Sequence, residues 1–102
     1  MFLIHINLAE NYAKNQNHKY ADYCYKLALR EVQFYLSLRP EVAKAYHYRG
    51  LIYLNGSQYL GLERNERLLK ARDDFYKVIQ INPEYAQNNG IRAFIEKIDQ
   101  LL

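Results

Sequence analysis

The sequence predicts an all-α protein of about five helices, and three observations carry that prediction. Apolar residues recur at steps of three and four along nearly the whole chain, which is typical of amphipathic helices. Four Gly and two Pro in 102 residues are too few for a β domain with many tight turns. Two junctions with the same residue pattern, centred on Pro40 and Pro83, divide the chain into similar units.

Each predicted helix ends at a recognisable break. A polar run at 15–17 ends the first helix, and Pro40 ends the second because the residue before a proline is pushed out of the α region. A turn at 55–57 ends the third helix, and Pro83 marks the end of the fourth. Residues 57–62 fit either a loop or a frayed helix start. The predicted helices therefore cover about 2–15, 19–39, 41–54, 63–81 and 84–102.

Charge pairs and apolar spacing support the last two helices. Acid-before-base pairs one turn apart each stabilise a helix by about 0.2–0.5 kcal/mol. The fourth helix has three of them, Glu63 with Arg67, Glu66 with Lys70, and Asp73 with Lys77. The apolar residues of 84–102 fall on one side of a single helix, which predicts one continuous helix there.

Length and composition favour one domain, which we place at 1–102. No apolar run approaches the roughly 20 residues that span a bilayer, and the first residues lack the features of a signal peptide. The single cysteine, Cys24, cannot form an internal disulfide, which fits a reducing compartment. We therefore expect a soluble, cytoplasmic protein without a membrane span.

The net charge of +3 raises the question of nucleic acid. The excess is +2 over residues 1–40, +2 over 41–83 and −1 over 84–102, and no polybasic block occurs. A dedicated nucleic-acid binder concentrates its positive charge in a patch or stripe. The distribution favours a mixed-charge surface, and a basic RNA- or DNA-associated module is the weaker alternative.

The two junctions, at 38–43 and 81–86, both follow the order apolar, polar, Pro, Glu, apolar, Ala. Aligning them brings small residues into register in the first helix of each unit: Ala9, Gly50 and Ala93. The second helices then match as Ala21, Tyr25, Ala28 and Ala71, Phe75, Val78. A small residue lets the neighbouring helix lay an aromatic ring against the backbone, so these pairs predict packed helical hairpins.

On these residues the chain resembles the tetratricopeptide-repeat (TPR) family, whose unit is a helix–turn–helix of about 34 residues. The resemblance implies a short right-handed solenoid of stacked antiparallel hairpins, with repeats at about 2–40 and 41–83 and a capping helix at about 84–102. His5 stands where a large aromatic is usual, and Arg49 stands where Leu is usual. Both copies are also longer than the family unit.

The same resemblance implies recognition of a protein or peptide on a concave groove. The family's groove positions hold Leu3, Ile6, Glu10, Lys14, Lys44, His47, Tyr48, Leu51 and Asn55, and the last helix would add Gln87, Ile91, Phe94 and Lys97. The Lys, Asn and Arg arrangement with which some members grip a C-terminal carboxylate is missing, because only Lys44 matches it. We therefore expect a mixed apolar and aromatic groove anchored by Tyr48 and Leu51.

Catalysis and cofactors find no support in the sequence. Cys24 lies within an apolar stripe, which predicts a packed thiol rather than a nucleophile. His47 has no acid one turn away to orient it, and the His and Cys residues offer no ligand pair at zinc spacing. We expect no enzyme activity, no cofactor and no metal.

Two functions from different classes therefore stand. The chain is predicted to be an interaction adaptor or scaffold that binds a partner in the groove. Alternatively, it is an assembly module that forms a homo-oligomer through its apolar C-terminal helix, at Ile98, Leu101 and Leu102, with the groove unused. Seven tyrosines are not explained by repeat packing, and those that face solvent would mark an interface: Tyr20, Tyr23, Tyr35, Tyr48, Tyr59, Tyr76 and Tyr85.

Overall fold

A computed structural model of the chain describes residues 2–55 and 61–102, with side chains in the first helix from Ile4 onward. This part of the chain contains helices and no strand, which confirms the all-α prediction for it. Its six helices are α1 (Phe2–Lys14), α2 (His18–Leu38), α3 (Ala43–Asn55), α4 (Arg64–Ile81), α5 (Pro83–Asn88) and α6 (Ile91–Leu101).

The first two helices pack along each other as an antiparallel hairpin. Gln16 closes α1 in the left-handed region, at φ 62°, and the amide of Asn17 donates to the carbonyl of Tyr12 at 2.8 Å. This bond satisfies a carbonyl that the end of a helix leaves unpaired. The polar run at 15–17 therefore forms the predicted break between α1 and α2.

The connection around Pro40 is two residues longer than predicted, so the third helix begins later in the chain. The amide of Arg39 donates to the carbonyl of Tyr35 at 2.9 Å and ends α2. The hydroxyl of Tyr46 donates to the carbonyl of Pro40 at 2.7 Å, which holds the connection against the start of α3. As a result α3 begins at Ala43 rather than at the predicted Glu41.

Helix α4 packs along α3 as the second hairpin. Among the described residues, none of the three charge pairs predicted for α4 forms an ion pair. Arg67 is buried, and its guanidinium donates to the carbonyls of Tyr53 (2.9 Å) and Leu54 (3.1 Å). It thus caps the last turn of α3 instead of meeting Glu63. The turn predicted at 55–57 and the ambiguous segment 57–62 lie largely outside the described residues.

The prediction of one continuous helix over 84–102 is wrong, because two short helices occupy this segment. The side chain of Asn82 accepts from the amide of Tyr85 at 3.0 Å and caps α5, whose first residue is Pro83. The helix ends at Asn88, and Gly90 adopts the left-handed region at φ 62° before α6 begins. The described part of the chain therefore has six helices rather than five.

Each hairpin has its own buried cluster. Ile6 and Ala9 of α1 meet Tyr25 and Val32 of α2 in the first cluster, which also receives Ala45 and Ile52 from α3. The second cluster is formed by side chains of α3, α4, α5 and α6, with these members fully buried: Ala71, Phe75, Val78, Ile91 and Ile98.

The two clusters share the half-buried side chains of Leu29 and Tyr46, which pack against both. The described part of the chain therefore forms one packed body, with a radius of gyration of 13.0 Å.

The predicted small–aromatic packing is confirmed at Gly50. A Cβ added to Gly50 would stand only 2.8 Å from the Phe75 ring, so the ring lies directly against the α3 backbone. Ala9 and Tyr25 are buried in the same cluster of the first hairpin. Ala93, which the alignment placed with Ala9 and Gly50, is instead exposed on α6.

Candidate partner-binding surface

The third helix presents one partly exposed row between the two hairpin cores. Lys44, Tyr48, Leu51 and Asn55 recur at steps of four, three and four, and they are exposed or half-buried. On one side of this row, Ala45 and Ile52 pack into the first core. On the other side, His47 and Leu54 turn toward the second hairpin. We call these four residues the α3 row.

His47 lies directly beneath the α3 row and holds it in place. Its ring stacks on that of Tyr48, with centroids 5.3 Å apart and planes inclined by 9°. Its Nδ1 is within hydrogen-bond distance, 2.8 Å, of the Tyr85 hydroxyl, and the Tyr85 ring meets it edge-on. The ring of Phe94 contacts it from α6. Contacts from α5 and α6 thus hold His47, on which the Tyr48 ring of the row stacks.

The surroundings of His47 favour the neutral form of its imidazole. Burial lowers the pKa of its imidazole below the ordinary value, and the positive charge of Lys44 lowers it further. The Lys44 ammonium itself lies 5.8 Å from the centroid of the Tyr48 ring, within reach of a cation–π contact. The α3 row therefore joins an exposed positive charge to a half-buried aromatic ring.

The predicted groove residues of α1 divide between core and surface. Ile6 is buried in the first core, so the prediction that it faces a partner is wrong. Glu10 and Lys14 are exposed, and partial burial raises the pKa of the Glu10 carboxyl. The side chain of Leu3 lies outside the described residues.

The predicted surface residues of the C-terminal segment are also partly buried and partly exposed. Ile91 and Ile98 are fully buried, so neither is a surface residue, and of the predicted oligomer surface only Leu101 and Leu102 are exposed. Phe94 is half-buried and stacks on Phe75 with ring centroids 5.0 Å apart. The remaining two predicted groove positions, Gln87 and Lys97, are exposed.

Each hairpin has a polar bridge between its two helices that was not predicted. Arg49 donates from Nε and Nη2 to the two carboxylate oxygens of Asp74, at 2.9 and 2.8 Å, and its guanidinium also lies 5.5 Å from the Tyr46 ring centroid. In the first hairpin, His5 bonds to Glu31 between α1 and α2, although at a different place along the helices. These are the two positions at which the chain departs from the TPR pattern, and that departure was the signal available in the sequence.

The Arg49–Asp74 bridge is a partly desolvated ion pair. The Asp74 side chain is 6% exposed and that of Arg49 is 25% exposed. The hydrogen bond to Asp74 raises the pKa of Arg49, while burial raises the pKa of Asp74 even though Arg49 opposes this. The bridge ties α3 to α4 on the side of α3 away from the α3 row.

Within the described residues, no three His, Cys, Asp or Glu side chains are placed to hold a metal ion. Cys24 is buried in the first core as predicted, and burial raises the pKa of its thiol, which disfavours the nucleophilic thiolate. Of the unexplained tyrosines, Tyr20, Tyr23 and Tyr76 are exposed, whereas Tyr59 lies outside the described residues.

The fold defines an all-α protein with a partly apolar, partly basic surface row. None of the helices in the described part combines the length and apolar character needed to cross a bilayer. Comparisons with protein-family models, with curated proteins and with solved structures find no match for this chain.

Proposed function

We propose that this chain is an interaction adaptor of the TPR type, a short solenoid that binds a peptide or helix of a partner along the α3 row. In this arrangement α1, α3 and α6 line the concave side, and α2 and α4 form the outer layer. A stacked-hairpin surface of this kind suits an extended or helical ligand. The proposal rests on the fixed ring of Tyr48 more than on any other feature.

Tyr48 has the properties of a binding anchor. Stacking on His47 fixes its ring before a partner arrives, so binding loses little side-chain freedom. Partly exposed aromatic residues with an apolar neighbour are typical of the few residues that dominate binding energy. Leu51 is that neighbour, one turn further along α3, and Lys44 adds a charge one turn before.

The charges around the α3 row favour a partner segment with at least one carboxylate. Lys14, Lys44 and Lys97 are exposed on the three helices that line this side, and Glu10 is the acid among the predicted groove positions. Complementary charge at the rim of an interface mainly accelerates association and sets orientation. We therefore expect an apolar or aromatic side chain beside Tyr48 and Leu51, and an acid near Lys44.

The experiment is a selection of linear peptides from a displayed random library on the purified chain. The enriched peptide is then labelled and titrated by fluorescence anisotropy against wild type and Tyr48→Ala/Leu51→Ala. Loss of two anchors should weaken binding by at least about 2 kcal/mol, or roughly thirtyfold. Tyr76→Ala is the matched control, because Tyr76 is an exposed tyrosine on α4, away from the α3 row.

Thermal melts of all variants separate lost binding from lost fold. Equal affinity of the enriched peptide for wild type and the double variant would contradict the proposal, as would failure to enrich any peptide. The assembly function predicts a different result, favoured by the exposure of Leu101 and Leu102. In that case light scattering detects an oligomer that Leu101→Ser/Leu102→Ser dissociates, and the α3 row variants leave it intact.

A further inference from the structure

The first hairpin has an apolar surface on the side opposite α3. Tyr20, Tyr23, Leu27, Phe34 and Leu38 recur along α2 at steps that place them on one side of the helix. Phe34 and Leu38 are each 68% exposed and Tyr23 is 64% exposed. The core residues of α2, such as Tyr25 and Val32, face the other way, toward α1 and α3.

Helix α1 continues this surface. His5 bonds Glu31, and the Tyr12 ring packs against Tyr20 with centroids 5.4 Å apart, so this flank of α1 lies beside the row on α2. Ile4 and Leu8 are exposed on α1 beside these contacts, away from the buried Ile6 and Ala9. We call the combined surface the end face: Ile4, Leu8, Tyr20, Tyr23, Leu27, Phe34 and Leu38.

The shape of the end face suits a helix. From Tyr20 to Leu38 the row on α2 extends about 27 Å at the rise of an α-helix. Two antiparallel helices form a shallow groove between them, and on its opposite side this same hairpin already packs against a helix, α3. A partner helix on the end face would therefore take a position equivalent to that of α3.

The charges beside the end face indicate which charge its partner carries. Lys19, Lys26 and Arg30 follow one edge of the α2 row, and Asp22 pairs with Lys26 at 3.0 Å, which leaves a net excess of two positive charges. The acid that lies between Leu27 and Phe34 on α2, Glu31, is bonded to His5. The basic edge therefore favours an acidic ligand.

A second copy of this chain does not supply that acid. An antiparallel two-fold arrangement would bring the basic edge against its own copy, and a parallel one would bring it against the uncharged α1 edge with Asn11 and Asn15. The outward side of α6 cannot substitute, because the exposed Arg92, Glu96 and Gln100 leave it without an apolar row to pack against the end face.

We propose that the end face binds an amphipathic helix of a partner protein whose apolar side is flanked by acidic residues. This site is separate from the α3 row, and it stands whether or not the α3 row binds a peptide. The partner's apolar residues pack between Phe34 and Tyr23 of α2 and Leu8 of α1. Its acidic flank lies along Lys19 and Arg30.

The test uses a stapled helical peptide of about 18 residues, the length that matches the α2 row. It carries Leu at helical spacing on one side and Glu on both flanks, and its twin carries Lys in place of every Glu. The Glu peptide should bind wild type roughly tenfold tighter than the Lys twin, with an affinity that falls as salt is added. Lys19→Glu/Arg30→Glu should reverse the preference between the twins.

Apolar contact is tested separately. Tyr23→Ser/Phe34→Ser should weaken binding of the Glu peptide about tenfold, since both side chains are large and exposed. Leu69→Ser/Tyr76→Ser on α4 is the matched control and should leave binding unchanged, as should Tyr48→Ala/Leu51→Ala in the α3 row. If the serine variant of the end face fails to fold, the reversal by Lys19→Glu/Arg30→Glu still decides the question.

Three results would overturn the proposal. One is equal affinity of wild type for the two peptide twins. Another is self-association by light scattering that Tyr23→Ser/Phe34→Ser abolishes, which would assign the end face to a second copy. The third is binding to phosphatidylserine vesicles without binding to the Glu peptide, which would assign it to an anionic lipid surface.

Discussion

The ring of Phe75 lies where a side chain on Gly50 would begin. A Cβ at Gly50 would meet Cε1 and Cζ of that ring at 2.8 Å, closer than carbon atoms pack without displacement. Phe75 is fully buried and stacks on Phe94, which in turn contacts His47. The close approach of α3 and α4 at Gly50 therefore also positions the aromatic residues beneath the α3 row.

Gly50→Ala is expected to destabilise the protein, although alanine favours helix. The gain in helix propensity is about 1 kcal/mol, while overpacking a closed core costs roughly 1–3 kcal/mol. The Phe75 ring has no free direction, so we expect a net loss of about 1 kcal/mol or more in urea unfolding. In the Phe75→Leu background the ring is absent, and Gly50→Ala should be neutral or stabilising there. Equal effects in both backgrounds would contradict this account.

Removing one partner of the Arg49–Asp74 bridge should cost more than removing both. Asp74→Leu leaves a half-buried guanidinium without its acceptor, and we expect a loss of about 2 kcal/mol, less than for a fully buried pair because Arg49 keeps some exposure. Arg49→Leu/Asp74→Leu should lie within about 1 kcal/mol of wild type. The measurement is a double-mutant cycle by chemical denaturation.

The control for this cycle is the exposed pair of Arg72 with Asp99, which joins α4 to α6 at 2.8 Å. Asp99→Leu should change stability much less than Asp74→Leu, because water screens an exposed pair. Simple additivity of the Arg49 and Asp74 substitutions would show that the two side chains do not act as a pair.

Periodicity predicted the first four helices to within a few residues, because local signals mark their ends. It missed the break at Gly90, because the apolar residues that carry the spacing, such as Ile91, Ile95 and Ile98, all follow Gly90 and do not report on the residues before it. It also paired Arg67 with Glu63 on the same helix. In the structure Arg67 instead donates to carbonyls of α3, a helix that lies near Arg67 only after the chain has folded. Long-range contacts of this kind leave little trace in local spacing.

The two proposed binding surfaces could be predicted from the sequence to different degrees. The α3 row follows from the TPR resemblance applied to α3, although burial of His47, Ile6 and Ile91 narrows the predicted groove. The end face was accessible from the sequence, since the row from Tyr20 to Leu38 has helical spacing. It was missed because Tyr25 and Val32 already explained α2 as an amphipathic helix, and one helix rarely carries two apolar sides.

His47 should make the protein less stable in mild acid. Above its ordinary pKa of about 6.5, His47 is neutral in folded and unfolded chains and adds no pH dependence. Below that pH the unfolded chain takes up a proton that buried His47 resists, so stability falls until the pH reaches the lowered pKa of the folded state. Urea unfolding from about pH 7.5 to about pH 5.5 measures this loss.

The pH dependence is assigned by comparing two variants. His47→Gln should show a smaller loss of stability over the same pH range than wild type. His18→Gln removes an exposed histidine at the start of α2 and serves as the control. Identical pH profiles for wild type and His47→Gln would contradict the assignment to His47.

Gln16→Gly should stabilise the protein. Gln16 adopts φ 62°, a left-handed conformation that costs a residue with a side chain about 1–2 kcal/mol. Glycine removes this strain but loses about 0.5–1 kcal/mol through its freedom in the unfolded chain. We expect a net gain of about 0.5–1 kcal/mol in thermal or urea unfolding. Gln16→Ala keeps the strain and is the control that should show no gain.

Gly90 provides the converse case, because the same conformation separates α5 from α6. No atom lies within 4 Å of an added Cβ, so Gly90→Ala changes only the backbone strain at φ 62°. We expect a loss of about 1 kcal/mol. Gly90→Asn should lose less, because Asn tolerates this conformation better than other residues. Equal stability of Gly90→Ala and wild type would contradict the account of backbone strain at the break between α5 and α6.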